Sequence, residues 1–450
     1  MAYLNGTNVA ITGDNLIDSL TTGYRWNLDS TRIINWSLSD GWNGEYFVSS
    51  SDAYRLTNIA FENIGQFINV DFSYVGYFDD PADAYLAGSD INLAHDAYNN
   101  KVPSGFWAFG FYPIENAPDR GDIYYATNSG YNSLPSYEPG SDGFTVIIHE
   151  IGHALGLKHP FEAVNGRPTF EGLGWQGLDI DLYTMMSYTD GDVSSVAYDP
   201  ETPMILDVLA LQYLYGANTS TYSDNTTWRF VRNDVYNTVY DAGGKDTINQ
   251  SDASEGWYIV LPNLKLTDLV NTRVGIAISQ YDNTLDVPTD LSWLAGNLEN
   301  VIGSAYADSV FGNQLKNLLR GGGGRDVIRG GGNDDKVIGD NGRDKLFGGS
   351  GDDILKGGNK NDVMSGGRGD DLFVFRTGWD VDRIQDFDAV GRHHDVLDLS
   401  GLRTVTSWRD LRNNHMEQDG DDVVINGRFG DRVILKGVDL DDLDRGDFIF

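Results

Sequence analysis

A nine-residue period runs unbroken from Gly303 to Val374, and it limits sharply what that part of the chain can become. Nonads begin at Gly303, Gly312, Gly321, Gly330, Gly339, Gly348, Gly357 and Gly366. From Gly321 onward they largely follow Gly-Gly-x-Gly-x-Asp-x-(apolar)-x, as in Gly348-Gly349-Ser350-Gly351-Asp352-Asp353-Ile354-Leu355-Lys356. The eighth position is always apolar: Val310, Leu319, Ile328, Val337, Leu346, Leu355, Met364 and Phe373. Six turn residues, whose glycines can take φ > 0, thus precede a three-residue strand with one inward-pointing side chain. A single unit buries almost nothing, so the units must stack and build a narrow core from the eighth positions. Stacking also gathers the sixth-position carboxylates Asp308, Asp326, Asp335, Asp344, Asp353, Asp362 and Asp371, with the amide Asn317 among them. Such carboxylates repel unless a hard dication lies between them and turn carbonyls complete its oxygen shell. The pattern therefore predicts a parallel β-roll that folds only when loaded with calcium. A disordered Gly/Asp linker is the competing reading, and the in-phase apolar positions argue against it. Asp340 stands at a second position, and Asn333 and Lys360 at fourth positions, where glycine is expected. Those coils are expected to cap the roll or to bind calcium less well.

The charge of the chain is a separate matter from its calcium sites. It has 67 acidic and 32 basic residues, a net of −35, and 56 of the acids are Asp. That balance excludes a nucleic-acid binder, which needs clustered Lys and Arg. Yet residues 303–374 hold 11 Asp against 10 Lys plus Arg, whereas residues 1–302 hold 39 acids against 12 bases. The excess acid outside the roll is expected to serve solubility. There is no cysteine, so disulfides and thiolate metal sites are excluded. No run of eighteen apolar residues exists, which rules out a membrane-spanning helix. Met1-Ala2-Tyr3-Leu4-Asn5-Gly6 has neither a basic nor an apolar signal region, so a Sec-type leader is not expected.

The second informative motif is Thr145-Val146-Ile147-Ile148-His149-Glu150-Ile151-Gly152-His153-Ala154-Leu155-Gly156-Leu157-Lys158-His159-Pro160. Apolar residues at 144, 147, 148, 151, 154 and 155 make the buried stripe of a helix. His149 and His153, at i and i+4, share one face, so both imidazoles can reach one metal. Glu150 projects beside them, where a carboxylate can accept a proton from water. Gly156 allows a sharp turn that returns His159 as a third ligand. Three neutral nitrogens leave tetrahedral zinc an open position, the arrangement of a catalytic site.

His-Glu-x-x-His-x-x-Gly-x-x-His, followed by Tyr183-Thr184-Met185-Met186-Ser187-Tyr188, resembles the metzincin metalloproteases. Pro160, the Met-Ser-Tyr turn and the nonads, which are similar to the RTX calcium-binding repeat, narrow the resemblance to serralysin-like secreted proteases. It extends over nearly the whole chain. The segment Thr12–Asp18 with Gly23-Tyr24-Arg25-Trp26 resembles that family's opening, 202–218 its closing helix, and Phe387 with Asp398–Leu402 the stretch after the roll. The resemblance implies an α+β architecture. A metzincin-type zinc protease domain would occupy residues 1–238, and an all-β domain with the roll (303–374) and a terminal type I secretion-signal region residues 239–450. It implies that Met186 underlies the zinc with Met185 only its neighbour. Tyr188 would ligate zinc at rest or hydrogen-bond the oxyanion. Calcium would fall to Asp326, Asp335, Asp344, Asp353, Asp362 and Asp371. Phe161-Glu162-Ala163 departs from the family's Gly-Asp-Tyr-like run, which leaves the zinc ligands intact but alters the adjoining pocket. With the opening segment so close to Met1, a trimmed form or a member with little prosegment is expected.

The function implied is that of a broad-specificity endopeptidase secreted from a Gram-negative bacterium. Zinc would activate water, with Glu150 as general base. Its expected partners are protein or peptide substrates, the type I secretion machinery and a proteinaceous inhibitor, and the enzyme is expected to be a monomer without membrane insertion. The alternative is a calcium-dependent surface or adhesion module with an inactive protease-like domain; a third reading is a specialised peptidase with few targets. Among the remaining candidates, His95 reads as a surface or satisfied histidine and His393-His394 as a solvated pair. Phe106–Tyr112 reads as a strand, either core or a substrate-binding edge. The tail Asp447-Phe448-Ile449-Phe450 fits a secretion signal that can become a strand after export.

Overall fold

Alternating apolar residues in the first third of the chain fold into a five-stranded sheet. The computed structural model describes residues 6–40, 50–96, 101–103, 106–117, 119–126, 137–189, 199–231, 235–262, 275–280, 288, 291–378, 380–390, 393–427 and 430–450. Residues 1–5, read above for a leader, lie outside them. Two units divide the chain: residues 1–221 with 234–242, and residues 222–233 with 243–450.

In the first unit the elements run β1 (Gly6–Asn8), α1 (Asn15–Leu20), β2 (Tyr24–Trp26), β3 (Ile33–Ser39), α2 (Ser50–Gly65), β4 (Asp71–Phe78), α3 (Pro81–Leu86), β5 (Ile91–Asp96), β6 (Ala108–Gly110), β7 (Ile123–Ala126), α4 (Asp142–Ala154), α5 (Phe170–Leu173) and α6 (Ile205–Tyr215). The sheet order is β4-β3-β5-β7-β6. Its first four strands are parallel, and β6 is added antiparallel to β7 at the edge. The strand expected over Phe106–Tyr112 is thus three residues long, and Phe106 and Trp107 stand exposed ahead of it. His95 is buried in β5 and does not lie on the surface. Helix α4 packs against α2, β6 and β7. Its stripe Phe144, Ile147, Ile148, Ile151, Ala154 and Leu155 is fully inside, each large side chain contributing roughly 1.5–3 kcal/mol.

A buried ion pair fastens the start of the chain. Arg167 Nη1 lies 2.6 Å from Asp18 Oδ1 and donates to Thr21 Oγ1 at 2.9 Å. Its Nη2 donates to the carbonyls of Val9 and Ala10, and Asp18 also accepts the amides of Thr12 and Gly13. The ordered segment 9–18 is thereby held to the loop that follows His159.

In the second unit the nonads form two parallel ladders. Leu318–Gly324, Lys336–Gly342, Ile354–Asn359 and Leu372–Arg376 make one; Val327–Gly332, Lys345–Ser350, Val363–Arg368 and Val381–Ile384 make the other. One coil therefore consumes two nonads, and Leu319 stacks on Val337, Val337 on Leu355 and Leu355 on Phe373 in successive coils. All eight eighth-position side chains are fully buried. Asn333, Asp340 and Lys360 adopt φ of 64°, 70° and 77°, keeping the turn that glycine would make at some strain. The tail strand Phe448–Ile449 pairs in parallel with Val396–Gly401. His394 is not merely solvated, since its Nε2 lies 2.5 Å from Oδ1 of the buried Asp447.

Candidate metal and catalytic centre

Helix α4 ends in a Schellman turn. Leu157 N–H bonds to Gly152 O and Gly156 N–H to His153 O, with Gly156 at φ 101°. A Cβ at Gly156 would lie 2.2 Å from Tyr24 O, so neither the dihedral nor the space admits another residue. The chain then pairs with the end of α1: Thr22 N–H bonds to Gly156 O and Lys158 N–H to Leu20 O. This return carries His159 back beneath the helix. Lys158 is itself buried, its Nζ donating to the carbonyls of His159, Glu162 and Pro168. Burial pushes that ammonium down to about 8.

The three imidazoles converge on one point. His149 Nε2 and His153 Nε2 each lie 3.1 Å from His159 Nε2. His149 Nδ1 is 2.7 Å from Met185 O and His153 Nδ1 3.0 Å from Leu157 O. Those carbonyls can only accept, so each Nδ1 carries the proton and each Nε2 offers a lone pair. Glu162 Oε2 lies 3.1 Å from His159 Nδ1, out of line for a hydrogen bond, and takes the Tyr112 hydroxyl. Burial, then the neighbouring imidazole of His159, pushes His149 down to about 3 and His153 well below its ordinary value. Two neutral, preoriented nitrogens, with His159 Nε2 converging on them, suit zinc. At Zn–N distances of 2.0–2.1 Å a tetrahedral site separates its nitrogens by about 3.3 Å.

Glu150 sits beside this point, buried, with its Oε2 without a hydrogen-bond partner among the described residues. Burial pushes its carboxyl up to about 8; a cation at the nitrogens would pull it back down. The Tyr188 ring lies parallel to His149 with centroids 5.5 Å apart and packs 4.5 Å from His159. Its phenol pKa is raised, by burial first and then by Glu150 and Glu162, so it stays a donor. Phe161, where the sequence departs from the family pattern, stacks on His159 at 4.8 Å and 5° and covers that ligand's outer face.

Beneath the histidines, a Cβ at Gly152 would approach Met186 Sδ to 2.7 Å and Met185 Cε to 2.9 Å. Both methionines therefore underlie the helix. Met185 is more than a neighbour, because its carbonyl also orients His149. The turn is fixed by Asp207 of α6, which accepts from Thr184 Oγ1, Met185 N and Met204 N at 2.6, 2.7 and 3.0 Å. Burial pushes Asp207 up to about 7. Lys158 and Asp207 act through backbone groups that no spacing rule exposes, and Glu162 through the Tyr112 hydroxyl and the His159 ring.

A second constellation lines the roll. Six of the sixth-position carboxylates accept, at Oδ1, the amide N–H of the residue one coil back: Asp326 from Asp308, Asp344 from Asp326, Asp362 from Asp344, and likewise Asp335, Asp353 and Asp371, at 2.7–2.9 Å. In all six the other oxygen, Oδ2, is buried without a hydrogen-bond partner among the described residues. Six orphaned anionic oxygens in two stacks fit a hard dication. The ladder continues past the nonads to Asp382 and Asp395, which the nine-residue count did not reach. Protein donors close one ladder at its start and the other at its finish. Asp308 accepts from Trp257 N, Ser304 N and Ser304 Oγ, and Asp395 Oδ2 accepts from Asp388 N.

Residues 29–164 match the Matrixin family, and residues 311–346 and 347–380 match the RTX calcium-binding nonapeptide repeat. The chain is 29% identical over 259 residues to the metallopeptidase AprA of Pseudomonas marginalis, covering 52% of this chain and 50% of that protein. It is 30% identical over 284 residues to serralysin G of Dickeya chrysanthemi, with 58% and 54% covered. To the serralysin of Proteus mirabilis it is 31% identical over 216 residues, with 44% and 40% covered. The chain spans about half the length of the curated relatives it matches. The likeness is to serralysin-like metalloproteases, and the cofactors that go with the histidine triad and the repeats are zinc and calcium.

Proposed function

We propose that this serralysin-like chain is a secreted zinc endopeptidase whose chemistry resides in residues 1–238 and whose calcium-loaded part, residues 239–450, carries the roll and the type I secretion signal. What supports the reading most is the convergence of three buried Nε2 atoms beside an unpartnered buried carboxylate oxygen. His149, His153 and His159 would hold the zinc. Bound there, it supplies Lewis acidity at a peptide carbonyl and brings water within reach of a weak base near neutral pH.

Everything else falls to the chain's own residues. Strand β6 is an edge, and an extended peptide can add to it through main-chain hydrogen bonds, which is the basis for a broad substrate range. Glu150 takes a proton from the attacking water as the water oxygen bonds to the carbonyl carbon. Tyr188 donates its hydroxyl to the developing oxyanion. When the C–N bond breaks, Glu150 returns the proton to the leaving nitrogen. Met185, Met186 and Asp207 keep the histidines in place, and Gly156 permits the third to arrive. Asp326, Asp335, Asp344, Asp353, Asp362 and Asp371 supply the calcium-facing oxygens. Protein substrates, the secretion apparatus and a proteinaceous inhibitor are its partners, and it acts as a monomer.

The test is Glu150→Gln in the full chain. Zinc content should remain one per chain while casein hydrolysis disappears. A variant that digests casein at the wild-type rate would remove Glu150 from the mechanism.

A further inference from the structure

The cleft beside His149 and Glu150 has a volume of about 500 Å³ and a strongly one-sided charge. Its carboxylates are Asp142, Glu150 and Asp199, and no Lys or Arg lies among its described lining residues. Asp142 precedes His149 by seven residues, two turns of α4, so it lies on the same face about 10 Å along the axis. Thr145 and Val146 fill the face between them and line the same cleft. Phe106 and Trp107, 43% and 40% exposed, line it from the segment leading into β6. The cleft is therefore a groove along α4, apolar along its middle, negative beyond, and bordered by aromatic rings.

These dimensions fit one kind of side chain. An extended lysine spans roughly 6 Å from Cα to Nζ, five bonds of about 1.5 Å in zigzag, and arginine slightly more. A residue next to the bond being cut has its Cα a few ångströms from the histidine nitrogens. Its cationic end would then fall near Asp142, with the methylenes along Val146 and the charge within reach of aromatic faces. The N-terminus of α4 places about half a positive charge at that end, and the full negative charge of Asp142 outweighs it. An acidic side chain reaching that end would meet the Asp142 carboxylate, with no Lys or Arg among the described lining residues.

We propose that this groove is a side-chain subsite for Lys or Arg, with Asp142 as the selecting carboxylate. Peptides with a basic residue adjacent to the scissile bond would then be the favoured substrates. The proposal rests on the peptidase reading and adds a preference to its main-chain recognition.

Three quenched fluorescent peptides, identical except for Lys, Leu or Glu at one position beside the bond, test it. They are presented to the full chain with zinc and calcium bound, and the cuts are mapped by mass spectrometry. The Lys peptide should exceed the Glu peptide by at least about tenfold in kcat/KM. In Asp142→Asn the Lys-to-Leu ratio should fall about tenfold, and in Asp142→Lys the Glu peptide should overtake the Lys peptide. The ratio is indifferent to how much of a variant folds. Equal ratios in wild type and Asp142→Asn overturn the subsite while leaving the peptidase intact. Hydrolysis of none of the three peptides overturns the peptidase reading, and the subsite with it.

Discussion

Without calcium the roll should fold at acidic pH and melt as the pH rises. Burial, as the leading cause, pushes Asp326 and Asp335 up to about 8, Asp362 and Asp371 to about 7, and Asp344 and Asp353 to about 6, from an ordinary 3.8. A carboxyl whose folded pKa lies above its unfolded one favours the fold while protonated. That contribution is whole below pH 3.8 and vanishes as the pH climbs through the window from 6 to 8. Ionising even the least shifted of the six costs roughly 3 kcal/mol at 1.36 kcal/mol per pH unit. All six together cost on the order of ten kcal/mol or more, comparable to the entire stability of a domain. Calcium reverses the sign, because it binds the ionised form and so tightens as the pH rises. At a hundred times its dissociation constant, each bound ion returns about 2.7 kcal/mol. Hydrogen exchange on the full chain, followed in peptides from 303–374 and corrected for intrinsic rates, reads this directly. In chelator the segment should be protected at pH 5 and exchange freely at pH 8, and calcium should restore protection at pH 8. Equal protection at both pH values without calcium would refute the reasoning.

Three further outcomes are expected. Arg167→Met leaves Asp18 charged and buried without its partner, so the first unit should lose roughly 3–5 kcal/mol in denaturant titration. Asp207→Ala releases the turn that orients His149, and zinc affinity measured by chelator competition should fall about 10–100-fold. Tyr188→Phe removes one oxyanion donor and should lower kcat by about 10²–10³ with zinc affinity unchanged; a wild-type kcat would assign the hydroxyl no part in the reaction.

What could be read from the chain depended on how local the cause was. The period of nine reports stacking directly, and Val310 through Phe373 are buried at each eighth position because one coil repeats the same geometry. The ladder beyond it was invisible. Asp382 and Asp395 join at offsets of 20 and 24 residues, where the repeat has lapsed but the amide-to-carboxylate step persists. Asn333, Asp340 and Lys360 looked like defects, yet each keeps a left-handed backbone because the neighbouring coils define the turn. On α4, the i, i+4 histidines and the glycine turn are consequences of helix geometry, and both were legible. The part Met185 plays toward His149 belongs to its carbonyl, which no side-chain pattern announces. Asp207 and Lys158 act across folds of the chain, through Met185 N–H in one case and three loop carbonyls in the other. The aromatic run at 106–112 keeps a strand pattern beyond the regular strand Ala108–Gly110, and Trp107 and Phe111 on either side of it still bond to the backbone of Ala126, Asp122 and Gly121.

The most direct test of the account is zinc content measured against peptide hydrolysis in the full chain at saturating calcium. Removing zinc should abolish cleavage while exchange protection across 303–374 stays unchanged, and one equivalent of zinc should restore the rate. A zinc-free protein that still cleaves at the original rate would contradict the assignment of His149, His153 and His159 as the metal centre of a peptidase.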